Sequence, residues 1–296
     1  MFPSFLPATV QKLTESTSIN LAKQIEHQPI STPLRKQPIV TSYVHQGQGG
    51  TPILLLHGFD SSVLEFRRLL PRLAPQNETW AVDLLGFGFT ERDVNVQISP
   101  RAIGTHLYGF WRSLIQQPVI LVGTSMGGAA AINFTLNHPE AVQSLVLIGS
   151  AGMSAGPIFG KFIFPPFDSL AAEFLRNPKV RQGISETAYF DKTFASRDAQ
   201  ICAALHLEMP LWNRALISFT KSGGYGSFRK ILSKIQQQTL ILWGENDRIL
   251  GTADAQKFKQ AIVNSQLIWI KNCGHVPHLE QPQLTTQYIL NFIQSN

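Results

Sequence analysis

A serine set between two glycines is the clearest chemical signal in this sequence. Residues Gly123-Thr-Ser-Met-Gly127 match G-x-S-x-G, follow the apolar run Pro118–Val122 and precede the small, apolar run Gly128–Phe134. A strand that turns sharply into a helix exposes the serine hydroxyl and admits only small residues beside it. The N-terminus of such a helix also favours developing negative charge. We therefore predict that Ser125 is a nucleophile; the alternative is a tight glycine turn with an idle serine.

A serine hydroxyl needs a base to remove its proton at neutral pH. Of the eight histidines, His275 follows the last predicted strand, in the loop Asn272–His278. This position places it at the same end of a parallel sheet as Ser125. We predict His275 as the base, with His278 as a structural residue or the alternative base, and assign the other histidines to packing or to the surface.

The base needs an acid to orient it, and the acid should come from another strand end. Asp247 follows the predicted strand Thr239–Trp243 and is the predicted acid. Glu245 and Asp254 are the alternatives, since either is able to reach a loop or the surface instead.

Attack on a carbonyl group builds charge on its oxygen, which backbone N–H groups must meet. We predict the N–H of Met126, directly after the nucleophile, and the N–H of Phe59, in the loop that follows strand Ile53–Leu56. His57 would help to hold that loop. Asp60 either contacts substrate or, as the favoured interpretation, caps a helix that begins before Leu64.

Short β-branched runs alternate with stretches of helical period, which predicts an α/β fold with a mostly parallel sheet covered by helices on both faces. Ser99 and Pro100 predict the first turn of one of these helices. The predicted strands are Ile39–His45, Ile53–Leu56, Thr79–Asp83, Val119–Val122, Ser144–Ile148, Thr239–Trp243 and Gln266–Ile270.

The alternation stops between two of the strands, which predicts an inserted helical cap. We expect an N-terminal extension at 1–38, a core at 39–150 and 226–296, and the cap or lid at 151–225. Glycines and prolines break up the apolar start of the cap, as is typical of a mobile lid. Phe159, Phe162 and Phe164 in that stretch either bind substrate or pack the cap onto the core.

The composition of the chain limits the classes of partner and compartment that fit it. The chain has 296 residues, 44% of them hydrophobic, and a formal net charge of +6 without a dense basic run, so we expect no nucleic-acid binding. Cys202 and Cys273 are too few for a disulfide framework. We find neither a signal-peptide pattern nor a run long enough to span a bilayer. We therefore expect a cytoplasmic protein in which any membrane contact is peripheral.

The order Ser125, Asp247, His275 resembles that of the α/β-hydrolase superfamily, over most of the chain from about residue 39. A narrower resemblance, to the chlorophyll dephytylases related to pheophytinase, rests on three stretches. These are His57-Gly-Phe-Asp-Ser-Ser-Val-Leu-Glu-Phe-Arg67, Glu78-Thr-Trp-Ala-Val-Asp-Leu-Leu-Gly-Phe-Gly-Phe89 and Asn137-His-Pro-Glu-Ala-Val142. The chain departs at Phe66 and Phe87, where plant members have tryptophan, and at Thr124 and Met126 in the motif.

The resemblance implies hydrolysis of the phytyl ester of chlorophyll or pheophytin, without a metal or organic cofactor, in a photosynthetic prokaryote such as a cyanobacterium. It also implies that any peripheral membrane contact is with the thylakoid membrane. Two other functions stay open. One is a lipase, esterase or C–C bond hydrolase that acts on another apolar substrate with the same triad. The other is a pigment-binding protein without catalysis.

Overall fold

The computed structural model of the chain describes residues 1–154 and 166–295. The predicted substrate-binding residues Phe159, Phe162 and Phe164 lie outside the described residues.

An eight-stranded sheet forms the centre of the molecule, with the order β1-β2-β4-β3-β5-β6-β7-β8. Strand β2 runs opposite to its neighbours, and the pairs from β4 to β8 are parallel. The strands are β1 Glu26–Ile30, β2 Ile39–Gln46, β3 Ile53–Leu56, β4 Thr79–Val82, β5 Val119–Thr124, β6 Val142–Ile148, β7 Gln238–Gly244 and β8 Ser265–Ile270.

The predicted fold class is confirmed, and the predicted strands agree with β2 to β8 within one or two residues at each end. Strand β3 shows why these strands were predictable, because all four of its residues are apolar and fully buried between the two helical layers. Strand β1 was missed. Its sequence is mostly polar and contains Pro29, which suits an edge position and weakens any strand pattern.

Helices cover both faces of this sheet. Ser99 caps α3 as predicted, since its hydroxyl accepts the N–H of Ala102 at 3.2 Å. The helices are α1 Ser16–Ala22, α2 Leu70–Leu73, α3 Pro100–Phe110, α4 Met126–Asn137, α5 Phe167–Arg176, α6 Pro178–Ala188, α7 Arg197–Ala204, α8 Trp212–Ser222, α9 Ala253–Ala261, α10 Pro277–Glu280 and α11 Pro282–Gln294.

The N-terminal segment packs against the domain. Leu6, Val10, Leu13 and Leu21 are buried in the same core cluster as β3 and α11. A second cluster, on the opposite face, contains residues of α3, α4 and α9. Each fully buried Leu or Ile side chain contributes roughly 1.5–3 kcal/mol, so these residues stabilise the fold as part of its core.

Helices α5 to α8 lie between β6 and β7 in the chain, in the interval predicted to be the cap. They have a small apolar cluster of their own, which includes Ala172, Leu207, Trp212 and Leu216. We call α5 to α8 and the turns between them the cap below. The exact domain boundaries stay a prediction.

Candidate active site

Ser125 stands at a sharp turn between β5 and α4. Its backbone has φ 50° and ψ −117°, a left-handed conformation that non-glycine residues rarely adopt. A methyl group added at Gly127 would lie 2.1 Å from the carbonyl oxygen of Leu56, and one at Gly123 would lie 2.3 Å from the oxygen of Gly127. The close approach of β3, β5 and α4 therefore requires both glycines and keeps the serine in its strained position.

His275 is held by Asp247, at the ends of neighbouring strands. The ring Nδ1–H of His275 donates to Asp247 Oδ2 at 2.8 Å, and the other carboxylate oxygen accepts the N–H groups of Ile249 and Leu250 at 2.8 and 3.0 Å. This bond to Nδ1 leaves Nε2 free to act as an acceptor. Neither alternative acid takes this place, because Glu245 is exposed and Asp254 pairs with Lys257.

Ser125 and His275 line one cavity of about 290 Å³ between the sheet and the cap. The structure thus brings the predicted nucleophile and base to the same space, with Asp247 behind the base. Its walls also include the apolar side chains of Phe59, Leu175, Ile184, Ala188, Ala199, Ile249, Val276 and Leu279.

The loop after β3 lies directly against Ser125, since a methyl group added at Gly58 would be 3.5 Å from Ser125 Cβ. His57 Nδ1–H donates to the carbonyl oxygen of Gly58 at 2.8 Å, and His57 Nε2 accepts the N–H of Leu84 at 3.1 Å. Burial lowers the pKa of His57 to about 4, so the neutral ring keeps both bonds. Because the Gly58 carbonyl and the Phe59 N–H belong to one trans peptide, His57 also sets the direction of that N–H.

Of the two predicted oxyanion donors, the N–H of Met126 follows Ser125 directly in the chain, and the N–H of Phe59 belongs to the loop that lies against Ser125. The N–H of Met126 belongs to the first residue of α4 and has no acceptor within its helix. Within residues 1–154 and 166–295, no protein acceptor takes the Phe59 N–H. Each such donor contributes about 3 kcal/mol to the stabilisation of an oxyanion in comparable sites.

Glu65 joins the loop to the turn that carries Ser125. Its Oε2 accepts the N–H of Gly58 at 2.9 Å, and its Oε1 accepts the hydroxyl of Thr124 and lies 3.2 Å from His278 Nε2. Burial alone would raise the pKa of Glu65, but His278, His57 and the Thr124 hydroxyl lower it to about 2. The ionised carboxylate therefore ties together three segments around the cavity. His278 takes the structural position beside it.

Asp60 does not cap the next helix, so that prediction is wrong. Ser62 takes this role, with its hydroxyl accepting the N–H of Leu64. The buried carboxylate of Asp60 accepts hydrogen bonds from Arg181, His206 and Trp212 instead. Burial raises the pKa of such a group, but these partners outweigh it and hold the pKa of Asp60 well below its usual range.

The loop that carries His275 is also joined to the cap. The N–H of His275 donates to the carbonyl oxygen of Ala188, at the end of α6, at 2.7 Å. Glu280 accepts the N–H groups of Gly274 and Asp191, each at 2.7 Å. The position of the base therefore depends on the segment that follows α6.

Sequence reasoning missed Glu65 and Glu280 as organising residues. The signal for Glu65 is a lone acid within the apolar run Val63–Phe66, and that for Glu280 is an acid that follows the loop of His275 closely. An acid in an apolar run is buried only when donors surround it. Part of each donor set comes from a remote segment, with the Thr124 hydroxyl on Glu65 and the Asp191 N–H on Glu280, and a sequence pattern does not reveal such a partner.

No cluster of three or more His, Cys, Asp or Glu side chains is arranged to hold a metal ion in the part of the chain that the structure describes.

Comparison with known proteins identifies a family and several relatives of the chain. Residues 53–287 match the model of the alpha/beta hydrolase family. The alpha/beta hydrolase domain-containing protein VTE7 of Arabidopsis thaliana is 32% identical over 298 residues, covering 98% of this chain and 90% of that protein. The 2-hydroxy-6-oxo-2,4-heptadienoate hydrolase of Pseudomonas putida is 27% identical over 265 residues, covering 86% and 93% respectively.

A solved structure shows the same fold. The thermophilic esterase from Thermogutta terrifontis superposes with a TM-score of 0.78 at 22% identity, covering 91% of this chain and 98% of that one.

Proposed function

The chain belongs to the alpha/beta hydrolase family, and we propose that it hydrolyses a carboxylic ester through Ser125, His275 and Asp247. One observation carries this proposal. Ser125, in a strained conformation, and His275, which Asp247 holds, line a single cavity, and Phe59 lines it as well.

In the proposed reaction, His275 Nε2 takes the proton of the Ser125 hydroxyl as its oxygen attacks the ester carbonyl carbon. The oxyanion that forms accepts hydrogen bonds from the N–H groups of Phe59 and Met126. His275 then protonates the departing alcohol oxygen, which leaves an acyl group on Ser125. Water, deprotonated by His275, attacks this acyl-enzyme, releases the acid and restores the serine.

We propose a long apolar ester as substrate, and specifically the phytyl ester of chlorophyll or pheophytin. The three stretches that resemble chlorophyll dephytylases support this choice, as do the apolar walls of the cavity. Each buried CH₂ contributes about 0.8 kcal/mol, so a phytyl chain supplies ample binding energy. The products would be phytol and chlorophyllide or pheophorbide.

The direct experiment compares Ser125→Ala with Ser113→Ala, which changes an exposed serine in the turn after α3. Each protein is incubated with chlorophyll and with pheophytin, and the products are separated by chromatography. We expect phytol release by the wild type and by Ser113→Ala, and a loss on the order of 10⁴-fold or more in Ser125→Ala. Phytol release that survives in Ser125→Ala contradicts the mechanism.

A fluorophosphonate probe tests the nucleophile without any assumption about the substrate. Labelling of Ser125 without phytol release would leave the hydrolase proposal standing and reject the pigment ester. A protein that binds pigment but is not labelled would be a binding protein rather than an enzyme.

A second candidate is hydrolysis of a C–C bond, which the similarity to the Pseudomonas putida hydrolase favours. The substrate named for that protein is an acid, whereas Arg181 in the cavity already pairs with Asp60 at 2.7 Å. Arg67 also lines the cavity, however, and its Nε and Nη2 have no hydrogen-bond partner among residues 1–154 and 166–295, so the cavity also offers a buried cation to an acidic substrate. Parallel assays with a 2-hydroxy-6-oxo-dienoate and with short acyl esters separate the two reactions.

We also propose peripheral contact of the cap with an anionic membrane such as the thylakoid. Among residues 1–154 and 166–295, no helix combines the length and hydrophobicity needed to cross a membrane. The outer side of α5 exposes Leu170 (61%) and Phe174 (63%), and Arg176 and Lys179 follow them in exposed positions. A basic residue near an anionic surface contributes about 1 kcal/mol.

Sedimentation with vesicles tests this contact. Leu170→Gln combined with Phe174→Gln should lower binding to phosphatidylglycerol vesicles, and added salt should lower it further. Val263→Gln, at a 76% exposed residue beyond α9, is the matched control. Equal binding by both variants, or no binding by the wild type at low salt, rejects the contact.

A further inference from the structure

Three separate elements of the cap converge on one carboxylate of the core. Arg181 of α6 donates to Asp60 Oδ2 at 2.7 Å, and Trp212 Nε1 at the start of α8 donates to Oδ1 at 2.7 Å. His206, in the short helical turn Leu205–Glu208, donates from Nε2 to Oδ1 at 3.0 Å. Asp60, His206 and Trp212 are all buried. The carboxylate therefore receives its partners from the cap.

Asp60 directly follows Phe59, whose N–H is a proposed oxyanion donor. The backbone of Asp60 has φ 49°, in the left-handed region, which aspartate adopts more often than most non-glycine residues but still seldom. A conformation of this kind persists when its surroundings impose it. Arg181 Nη2 also donates to the Asp60 carbonyl oxygen at 3.3 Å, so the cap holds both the side chain and the backbone.

The neighbouring residue touches the same part of the cap. The ring of Phe59 lies 6.0 Å from the ring of Phe219 on α8, between ring centroids. On its other side, the Phe59 peptide is held by the core, through the bonds of His57 and Glu65 to Gly58. The Phe59 N–H therefore lies between an anchor in the core and an anchor in the cap.

We propose that Asp60 is a positioning residue that couples the seating of the cap to completion of the oxyanion hole. With Arg181, His206 and Trp212 in place, Asp60 stays in its left-handed conformation and the Phe59 N–H stays aimed beside Ser125. When the cap lifts, these donors leave, Asp60 relaxes, and the hole loses one donor. The enzyme is then fully active only with the cap closed over a bound substrate. This inference rests on the proposed hydrolysis through Ser125.

Asp60→Asn tests the coupling, because asparagine has nearly the same shape and tolerates the left-handed conformation. Its amide oxygen still accepts from Trp212, but its NH₂ group cannot accept from Arg181. For a short p-nitrophenyl ester we expect kcat to fall about 10- to 100-fold, with KM within about three-fold. Affinity for a trifluoromethyl ketone, whose adduct places an oxyanion in the hole, should fall by the same factor as kcat/KM.

Asp198→Asn is the matched control. Asp198 is also a buried cap carboxylate, which accepts from the N–H and hydroxyl of Thr14 and from the N–H of Glu15. It lies outside the cavity, so its replacement should lower the thermal midpoint without changing kcat or ketone affinity. Loss of stability alone would therefore affect both variants, whereas loss of the oxyanion donor would affect only Asp60→Asn.

Trp212→Phe provides a second variant that keeps the ring and removes one donor from the cap side. It should change kcat and ketone affinity in the same direction as Asp60→Asn, by a smaller factor. Fluorophosphonate labelling of the wild type tests the hydrolase proposal on its own. With that label present, unchanged ketone affinity in Asp60→Asn and Trp212→Phe overturns the coupling, as does an equal loss in Asp198→Asn.

Discussion

Two helices of similar length border the candidate active site, and they are held in place by different means. Helix α4, which begins directly after Ser125, buries nine of its 12 residues. Helix α6, on the cap side, has 11 residues and buries none of them. Yet α6 supplies Arg181, Ile184, Ser185 and Ala188 to the cavity.

The difference separates two ways to position a functional group. Packing against β3 and β5 locks α4 and with it the turn that carries Ser125. Helix α6 depends on polar contacts at its ends, with Arg181 bound to Asp60 and the carbonyl oxygen of Ala188 bound to His275. The core side of the cavity is therefore rigid, and the cap side is able to move at a much lower cost.

The largest expected effect is on the core side. Gly127→Ala places a methyl group 2.1 Å from the Leu56 oxygen and 2.5 Å from the His57 oxygen, which are backbone atoms that cannot move aside alone. We expect a loss of at least about 3 kcal/mol in the free energy of unfolding, together with loss of ester hydrolysis. Urea denaturation measures the change in the free energy of unfolding. A soluble, active variant of wild-type stability would show that α4 is less tightly seated than its burial indicates.

Hydrogen exchange compares the two helices within one sample. The amides of α6 should exchange through local unfolding of the helix, whereas those of α4 should exchange only when a much larger part of the domain unfolds. We expect exchange at least about 100-fold faster in α6 than in α4. Equal protection of the two helices would contradict the difference in local stability that their burial predicts.

Acid should destabilise the core through its neutral histidines. Burial lowers the pKa of His57 and of His106 to about 4, whereas unfolded histidine titrates near 6.5. Between those values the unfolded chain binds protons that the folded chain does not, so stability falls as the pH falls through this window. His106→Gln, which can still bond to Thr41, should reduce the difference in protons bound by about one. Urea denaturation across the window measures the slope, and an unchanged slope contradicts the burial argument.

The smallest expected effect is a gain on the cap side. A methyl group added at Gly183, within α6, meets no atom within 4 Å. Gly183→Ala should therefore stabilise the helix by about 0.5–1 kcal/mol, since alanine is the better helix former. Thermal denaturation and exchange rates in α6 measure it. Glycine-to-alanine substitution is thus expected to lower stability at Gly127 and to raise it at Gly183. A loss of stability in Gly183→Ala would show that the added methyl group meets neighbours that the structure does not contain.

Much of the core was predictable because its signals are local. Strands β3, β5 and β7 each contain a continuous apolar run, which only a sheet covered on both faces buries. The turn at Ser125 carries its own steric requirement in Gly123 and Gly127. Since parallel strand ends meet at one edge of a sheet, the placement of Asp247 and His275 followed from the strands.

Other features were not predictable because their partners are remote in sequence. Asp60 has the residue type and position of a helix cap, and nothing nearby indicates that donors more than a hundred residues away occupy its carboxylate. Glu65 likewise depends on Thr124 and His278. Strand β1 exists because β2 offers an open edge, so its own mostly polar sequence carries little signal.

The sequence by itself determined the parallel core and the residues that reach the carboxyl edge of its sheet, because hydrophobic periodicity and glycine sterics act between near neighbours. Only the tertiary structure decided how the cap meets that edge. The contacts of Asp60, Glu65 and Glu280 each satisfy a buried charge with donors from distant segments, and folding alone brings such donors within hydrogen-bond distance.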